Sequence, residues 1–372
     1  MANGTAVLAD PRRRNLAILG GLTAFFLILA IIAVVQQSRS LAPKFEQAAF
    51  FPGLTDRLSG LGEVDVTSKS GTVHLKLAQG KWAVAERDSF PADLGQIRAT
   101  AAGMADLMTV EPKTARADWL TYVGLDAPDK GGAAVGVKLV DTTGKAMAEL
   151  LVGNAQGAAD DLGRTTLYVR RPNENQSWLV RGSLTPKPNV ADWLDKNVLV
   201  IARDRVKGAS VTPATGPAYN LARDNKNQPD FKMLDLPPGR ALSFEGSPDG
   251  VAGAISGFTF DDVGKAAQFD FSKAPQSVFH TFDGLDLTVK IATKDKDNWA
   301  IVTAMASNPM VQAEAAAINA RLNGWAFKLP EERVMQILAT RETLLRPLDS
   351  PAPARAPGAP ARATGAPAAP PR

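Results

Sequence analysis

EVDVTSKSGTVHLKLAQGKWAVA, residues 63–85, is the stretch from which the fold can be read. Apolar residues fall at every second position, Val64 and Val66, then Val73, Leu75 and Leu77, and KWAVA follows the turn at Gln79 and Gly80. A period of two puts alternate side chains on opposite faces, so each segment reads as a half-buried strand. Three short strands in succession predict an antiparallel meander. His74 lies on the face opposite Val73, Leu75 and Leu77, which makes it a solvent-facing or cross-strand histidine.

The period then changes. In SFPADLGQIRATAAGMADLMTV (89–110), Leu94, Ile97, Ala101, Met104, Leu107 and Met108 recur at helical spacing behind Ser89 and Pro91. An amphipathic helix laid on a meander gives an α+β class. Asp118 to Pro128 reads as a short helix closed by Gly124. Strands follow at 134–141 and 146–152 across the turn Thr142 to Lys145, then LYVRRP (167–172) and SWLVRG (177–182) across Asn173 to Gln176, before DWLDKNVLVI (192–201) leads away.

The pattern then begins again. KWAV at Lys81 matches DFKM at Asp230, VKL in VGVKLVDTTGKA matches VKI in LTVKIATKDKDN, and SWLV at Ser177 matches GWAF at Gly324. The offsets agree within about five residues, which supports an internal repeat, although β-rich chains also yield short matches of this kind. The expected architecture is two tandem, similar modules of antiparallel sheet with covering helices, over residues 60–203 and 204–347.

Ahead of the modules lies LAILGGLTAFFLILAIIAVV, residues 16–35, without a charged side chain. As a helix it would span about 30 Å, the thickness of a bilayer core. A transmembrane helix is expected over 15–36, between an N-terminal tail (1–14) and a juxtamembrane segment (37–59). Arg12, Arg13 and Arg14 outweigh Arg39 and Lys44 on the far side, which places the tail in the cytoplasm and the modules in the periplasm. A cleaved signal peptide is the competing reading, through the small residues near Ser40 and Ala42. The run exceeds the ~7–15 residues of a signal core, and Pro43 would follow the cut. Gly20 and Gly21 would let a second helix approach closely.

The formal charge of +4 sits at the ends: +2 over residues 1–14 and +3 over 351–372, leaving −1 for 36–350. A neutral body lacks the bulk charge of a nucleic-acid binder, and none is expected as a partner. The absence of cysteine excludes disulfides, thiolate metal sites and cysteine nucleophiles. Residues 348–372 are rich in Pro and Ala and are expected to be a disordered tail.

Chemistry is sparsely marked. No G-x-S-x-G, Walker A or G-x-G-x-x-G pattern occurs, and KDKDN (294–298) lacks the Gly and distal Glu of a calcium loop. The acid pairs Asp261 with Asp262 and Asp283 with Asp286 have no spacing that fixes two carboxylates across a cleft. His280, between Phe279 and Phe282, reads as packed at a core edge. Trp82, Trp119, Trp178, Trp193, Trp299 and Trp325 read as core, with sugar stacking the alternative if a ring is exposed. No catalytic, cofactor-binding or metal residue is assigned, and no cofactor is expected.

Taken together, FFPGL, KWAV with FPAD, YVGLDAP, LYVRRP, SWLV and DWLDKNVLVI resemble the bacterial domain of unknown function 4340 (DUF4340) family. In the second half RDNKNQPDFKM, FTFDDV, TFDGLDLTVKI and NGWAFKLP are similar too. The resemblance implies a membrane-anchored envelope protein beside an ABC-type transport system of the gliding-motility auxiliary kind. The leading expectation is a non-enzymatic accessory protein with a membrane partner. An envelope polysaccharide or peptidoglycan binding module and an enzyme with an unrecognised carboxylate site are the alternatives.

Overall fold

The computed structural model describes residues 20–31 and 47–348. Residues 20–31 are helical and exposed. The other parts of the expected span, 15–19 and 32–36, lie outside the described residues, as do the tail from 349 and most of the first 46 positions. Among the described residues no helix is long and apolar enough to cross a membrane.

The first lobe holds β1 (Leu61–Ser68), β2 (Gly71–Ala78), β3 (Lys81–Val84), β4 (Phe90–Pro91), β5 (Met108–Pro112), β6 (Val135–Asp141), β7 (Ala146–Gln156), β8 (Thr165–Arg170) and β9 (Ser177–Gly182). They form one antiparallel sheet in the order β4-β3-β2-β1-β6-β7-β8-β9-β5. The meander expected from residues 63–85 is its β1–β3 end. Val64, Val66, Val73 and Leu75 face the core. A helix, Leu94–Ala105, covers that face with Ile97, Ala101 and Met104. It starts later than Ser89 because Phe90–Pro91 pairs as β4, and Asp93 caps it by accepting from the Gln96 N–H at 3.0 Å. It also ends earlier, so Met108 belongs to β5.

The second lobe holds β10 (Val206–Thr212), β11 (Tyr219–Ala222), β12 (Lys232–Met233), a separate ribbon of β13 (Arg240–Leu242) with β19 (Leu345–Pro347), and β14 (Asp262–Lys265), β15 (Gln276–Thr281), β16 (Leu285–Lys294), β17 (Asp297–Ala306) and β18 (Trp325–Leu329). Its sheet runs β12-β11-β10-β15-β16-β17-β18-β14. Read beside β3-β2-β1-β6-β7-β8-β9-β5, the two orders correspond strand for strand, with β4 an addition to the first sheet. Both lobes also break register at the same place, between Leu61 and Glu63 on β1 and between Val206 and Gly208 on β10. The KWAV and SWLV matches fall on equivalent strands. The VKL match does not: it joins β6 to β16, whose counterpart is β7. The covering helices differ as well. Between β12 and β14 a single α-helical turn, Asp249–Ala252, and a 3-10 turn, Ala254–Gly257, stand where the first lobe has its helix. The helix Gln312–Leu322 is instead inserted between β17 and β18.

One continuous apolar core runs through both lobes. Phe90 of β4 meets Phe260, Trp325 and Phe327 of the second lobe edge-on. The connection between lobes is buried with them: Trp193 is fully enclosed, its indole N–H donating to the Lys187 carbonyl, and Leu194, Val198 and Ile201 are in the same core. At the other end of the first sheet, FFPGL plugs the core with Phe50 and Leu54. Ala48 and Thr109 exchange backbone and hydroxyl hydrogen bonds, so the chain arriving from the N-terminal side is sewn to β5.

Candidate functional site

The outer face of the first sheet is only half covered. Residues 117–134 lie over it as three 3-10 turns, Ala117–Trp119 and Thr121–Val123, closed by Gly124 in the left-handed region, and then Pro128–Lys130. Leu120, Leu125 and Ala134 bury themselves against Leu151 of β7 in a small core of their own, with Val123 and Tyr168 alongside. The approach is close because β7 carries Gly153 there: a Cβ at that position would stand 2.3 Å from the Val123 carbonyl oxygen. The cover stops at Ala127–Lys130. Between its edge and the polar faces of β1, β2 and β6 is a cavity of about 630 Å³, lined by Asp65, Thr67, His74, Lys138, Glu149 and Arg170 among others.

Arg170 holds the walls of this cavity in place. It is almost wholly buried, and its guanidinium donates to the carbonyls of Leu125 (3.0 Å), Pro172 (2.9 Å) and Glu174 (3.2 Å). One side chain therefore ties the covering segment to the β8–β9 hairpin. Burial pulls its pKa down from the ordinary guanidinium value, and Asp126 and Asp129 push back, so it stays charged.

Opposite, the β1–β2 hairpin sets Asp65 directly across from His74 and Glu63 across from Lys76. The His74 Nδ1 is 2.7 Å from Asp65 Oδ1 and 3.8 Å from Glu63 Oε1, and Lys76 Nζ is 3.2 Å from the same Glu63 oxygen. One imidazole and two carboxylates thus converge on the sheet face, their ligand atoms within 4.8 Å of one another. The backbone N–H of His74 donates to the Glu86 carboxylate at 3.0 Å, which fixes β2 at this residue.

The same register positions in the second lobe carry different residues. Ser210 stands for Asp65, Asn220 for His74 and Gly208 for Glu63. Here Ser210 Oγ is 3.2 Å from His280 Nε2, and His280 Nδ1 is 2.8 Å from Asp286 Oδ1. These distances suit a nucleophile, base and carboxylate chain. The Ser210 proton, however, goes to Asn220 Oδ1 at 2.8 Å, because Asn220 turns its amide N–H to Asp235. A hydroxyl with one proton cannot also give it to His280. The result is a hydrogen-bonded ladder across four strands, extended by Ser307 donating to Asp286.

The acids singled out in the sequence are not brought together. Asp262 takes two hydrogen bonds from Arg87 of the first lobe, at 2.6 and 2.7 Å. Asp261 offers its carbonyl to Lys196. Asp283 pairs with Arg205, which also holds Glu314, and Asp286 pairs with His280. His74 is cross-strand, as its position in β2 requires. His280 is not at a core edge: Phe279 takes the core side and turns His280 to the polar face. The tryptophans are not uniformly core either. Trp193 is fully enclosed, whereas Trp119 is 51% exposed with the Arg116 guanidinium stacked on it, near Tyr122 at 80%.

Glu63 and Asp65 were not singled out in the sequence. The signal was there: two acids one residue apart on a strand share a face, and hairpin pairing of Ser68 with Gly71 brings Asp65 opposite His74. Arg170 and Arg87 carry no such local mark.

The family model described as a domain of unknown function (DUF4340) matches residues 82–245, from β3 through the connection into the start of the second lobe. No curated protein and no solved structure matches the chain.

Proposed function

We propose that this chain, a carrier of the DUF4340 domain, is a non-enzymatic accessory protein of the bacterial envelope. In this reading residues 16–35 anchor it in the inner membrane, and both lobes stand in the periplasm beside an ABC-type transport complex. The observation that carries the reading is the polar cavity on the outer face of the first sheet. Its walls are fixed by Arg170, and its lining offers charged and hydrogen-bonding groups of both signs, Asp65, Glu149 and Lys138. Such a surface suits recognition of a polar segment of another protein. The apolar run with its preceding arginines supports the anchor, and Ala48, which follows it in the chain, is attached to β5 of the sheet bearing the cavity.

A photo-crosslinker placed at Asn175, on the cavity wall, tests the role in native membranes. Adducts with an integral membrane transport subunit are expected. Adducts with no membrane protein would overturn it.

A second reading is favoured by Trp119 and Tyr122, both exposed and three residues apart on the covering segment. Open aromatic rings suit stacking on envelope sugar rings. Pull-down by isolated cell wall that is lost in Trp119→Ala would favour this over the accessory role.

A further inference from the structure

We propose that Glu63, Asp65 and His74 bind a single divalent cation of the zinc class on the outer face of the first sheet. This goes beyond the accessory role and does not depend on it. The set is made by strand geometry. Residues 63 and 65 share one face of β1 through the pleat, and the hairpin register puts the imidazole directly across from Asp65. The three donor atoms already lie within 4.8 Å of one another, the Nδ1 distances being 2.7 Å to Asp65 and 3.8 Å to Glu63. A tetrahedral ion with bonds of ~2.0–2.2 Å keeps its ligand atoms about 3.4 Å apart. Opening the 2.7 Å gap by about 0.7 Å, closing the 3.8 Å gap by about 0.4 Å, and bringing the two carboxylate oxygens, now within 4.8 Å, to the same spacing seats such an ion.

The ligand chemistry selects the ion. Imidazole with two carboxylates suits zinc and its neighbours, whereas magnesium and calcium take oxygen ligands throughout. Two carboxylates balance the charge of the cation. Lys76, which shares Glu63 in the cation's place, is 56% exposed at its side chain and swings into water at little cost. The strand is pinned at the ligand residue, since the His74 backbone N–H donates to the Glu86 carboxylate. Asp65 and His74 also line the cavity, so the remaining coordination position opens towards whatever occupies it, and an oxygen of a bound partner can complete the shell.

The second lobe supplies control substitutions. At the same register positions the fold accepts serine for Asp65 and asparagine for His74, as Ser210 and Asn220 demonstrate. Asp65→Ser and His74→Asn therefore remove ligands with residues that this strand pairing tolerates.

The test is calorimetric titration of the full-length, chelator-stripped protein in detergent micelles with zinc chloride. The parent is expected to bind a single equivalent. Asp65→Ser and His74→Asn should each weaken binding by roughly tenfold or more, with unchanged circular dichroism melts in the absence of metal. His280→Asn, at the other histidine, should bind as the parent does. Absence of binding in the parent, binding in either ligand variant as tight as in the parent, or loss of binding in His280→Asn would each overturn the assignment.

Discussion

Arg87 and Asp262, 175 residues apart in the chain, meet through two parallel N–H···O bonds of 2.6 and 2.7 Å across the boundary between the lobes. This fork clasps the outside of a contact whose inside is the Phe90, Phe260 and Phe327 cluster. Lys196 adds a second link, lying 4.3 Å from the Phe260 ring centroid and donating to the Phe260 carbonyl at 2.9 Å.

Removing the fork should loosen the lobes together. Hydrogen bonds to charged groups contribute about 1.5–3 kcal/mol, and both partners are partly screened, so Arg87→Ala should cost about 1–2 kcal/mol in urea unfolding. Phe90→Ala, which empties the aromatic contact, should cost about 3–5 kcal/mol. Both variants should unfold in a single transition if the shared core makes the lobes one cooperative unit. Two separated transitions in the parent protein would contradict that.

Acid should act on the same link. Burial opposes ionisation of Asp262, but the Arg87 hydrogen bonds and the Val263 N–H outweigh it and hold the carboxyl below its ordinary value of 3.8. A depressed carboxylate contributes stability that is present above the unfolded value and lost as pH falls through the folded one. Thermal midpoints should therefore drop as pH falls below about 4. In Asp262→Asn that acid-dependent drop should be smaller, with a lower midpoint at pH 7; an equally steep drop would show that other carboxylates carry it.

Arg170 is predicted to be worth more to the cavity than to any single strand. Arg170→Leu leaves the carbonyls of Leu125, Pro172 and Glu174 without their donor, which should cost about 2–4 kcal/mol. Hydrogen exchange should quicken in 125–134 and 171–176 while β1 and β2 stay protected. Uniform quickening across the first sheet would mean that Arg170 supports the whole lobe instead.

Gly153→Ala tests how the covering segment is seated. Its Cβ would press on the Val123 carbonyl, so a loss of about 1–3 kcal/mol is expected, with a shift in the emission of Trp119, which rides on that segment. An unchanged spectrum and stability would mean that the cover yields without cost.

Much of this was legible in the sequence, for identifiable reasons. Alternation at Val64, Val66, Val73 and Leu75 marks strands because one face is buried and the other wet. The repeat was visible at KWAV and SWLV, which lie on equivalent strands. It was misaligned at VKL, because any central strand with one buried face reads as the same alternation of apolar, polar and apolar residues. The helix Gln312–Leu322 inserted between β17 and β18 has no counterpart in the first half, so a search for similarity passes over it. The site was half legible: the hairpin register gives Asp65 opposite His74, whereas Arg170 and Arg87 find partners 45 and 175 residues away, a distance no local pattern encodes.

The proposed function requires both lobes to be held on the periplasmic side of the inner membrane. The chain has no cysteine, so Asn173→Cys at the cavity wall introduces a single thiol. Intact cells with a permeabilised outer membrane are treated with a membrane-impermeant maleimide, and the protein is then fractionated in alkaline carbonate. Labelling before lysis and recovery in the membrane pellet are expected. Labelling only after lysis, or release into the soluble fraction, would contradict it.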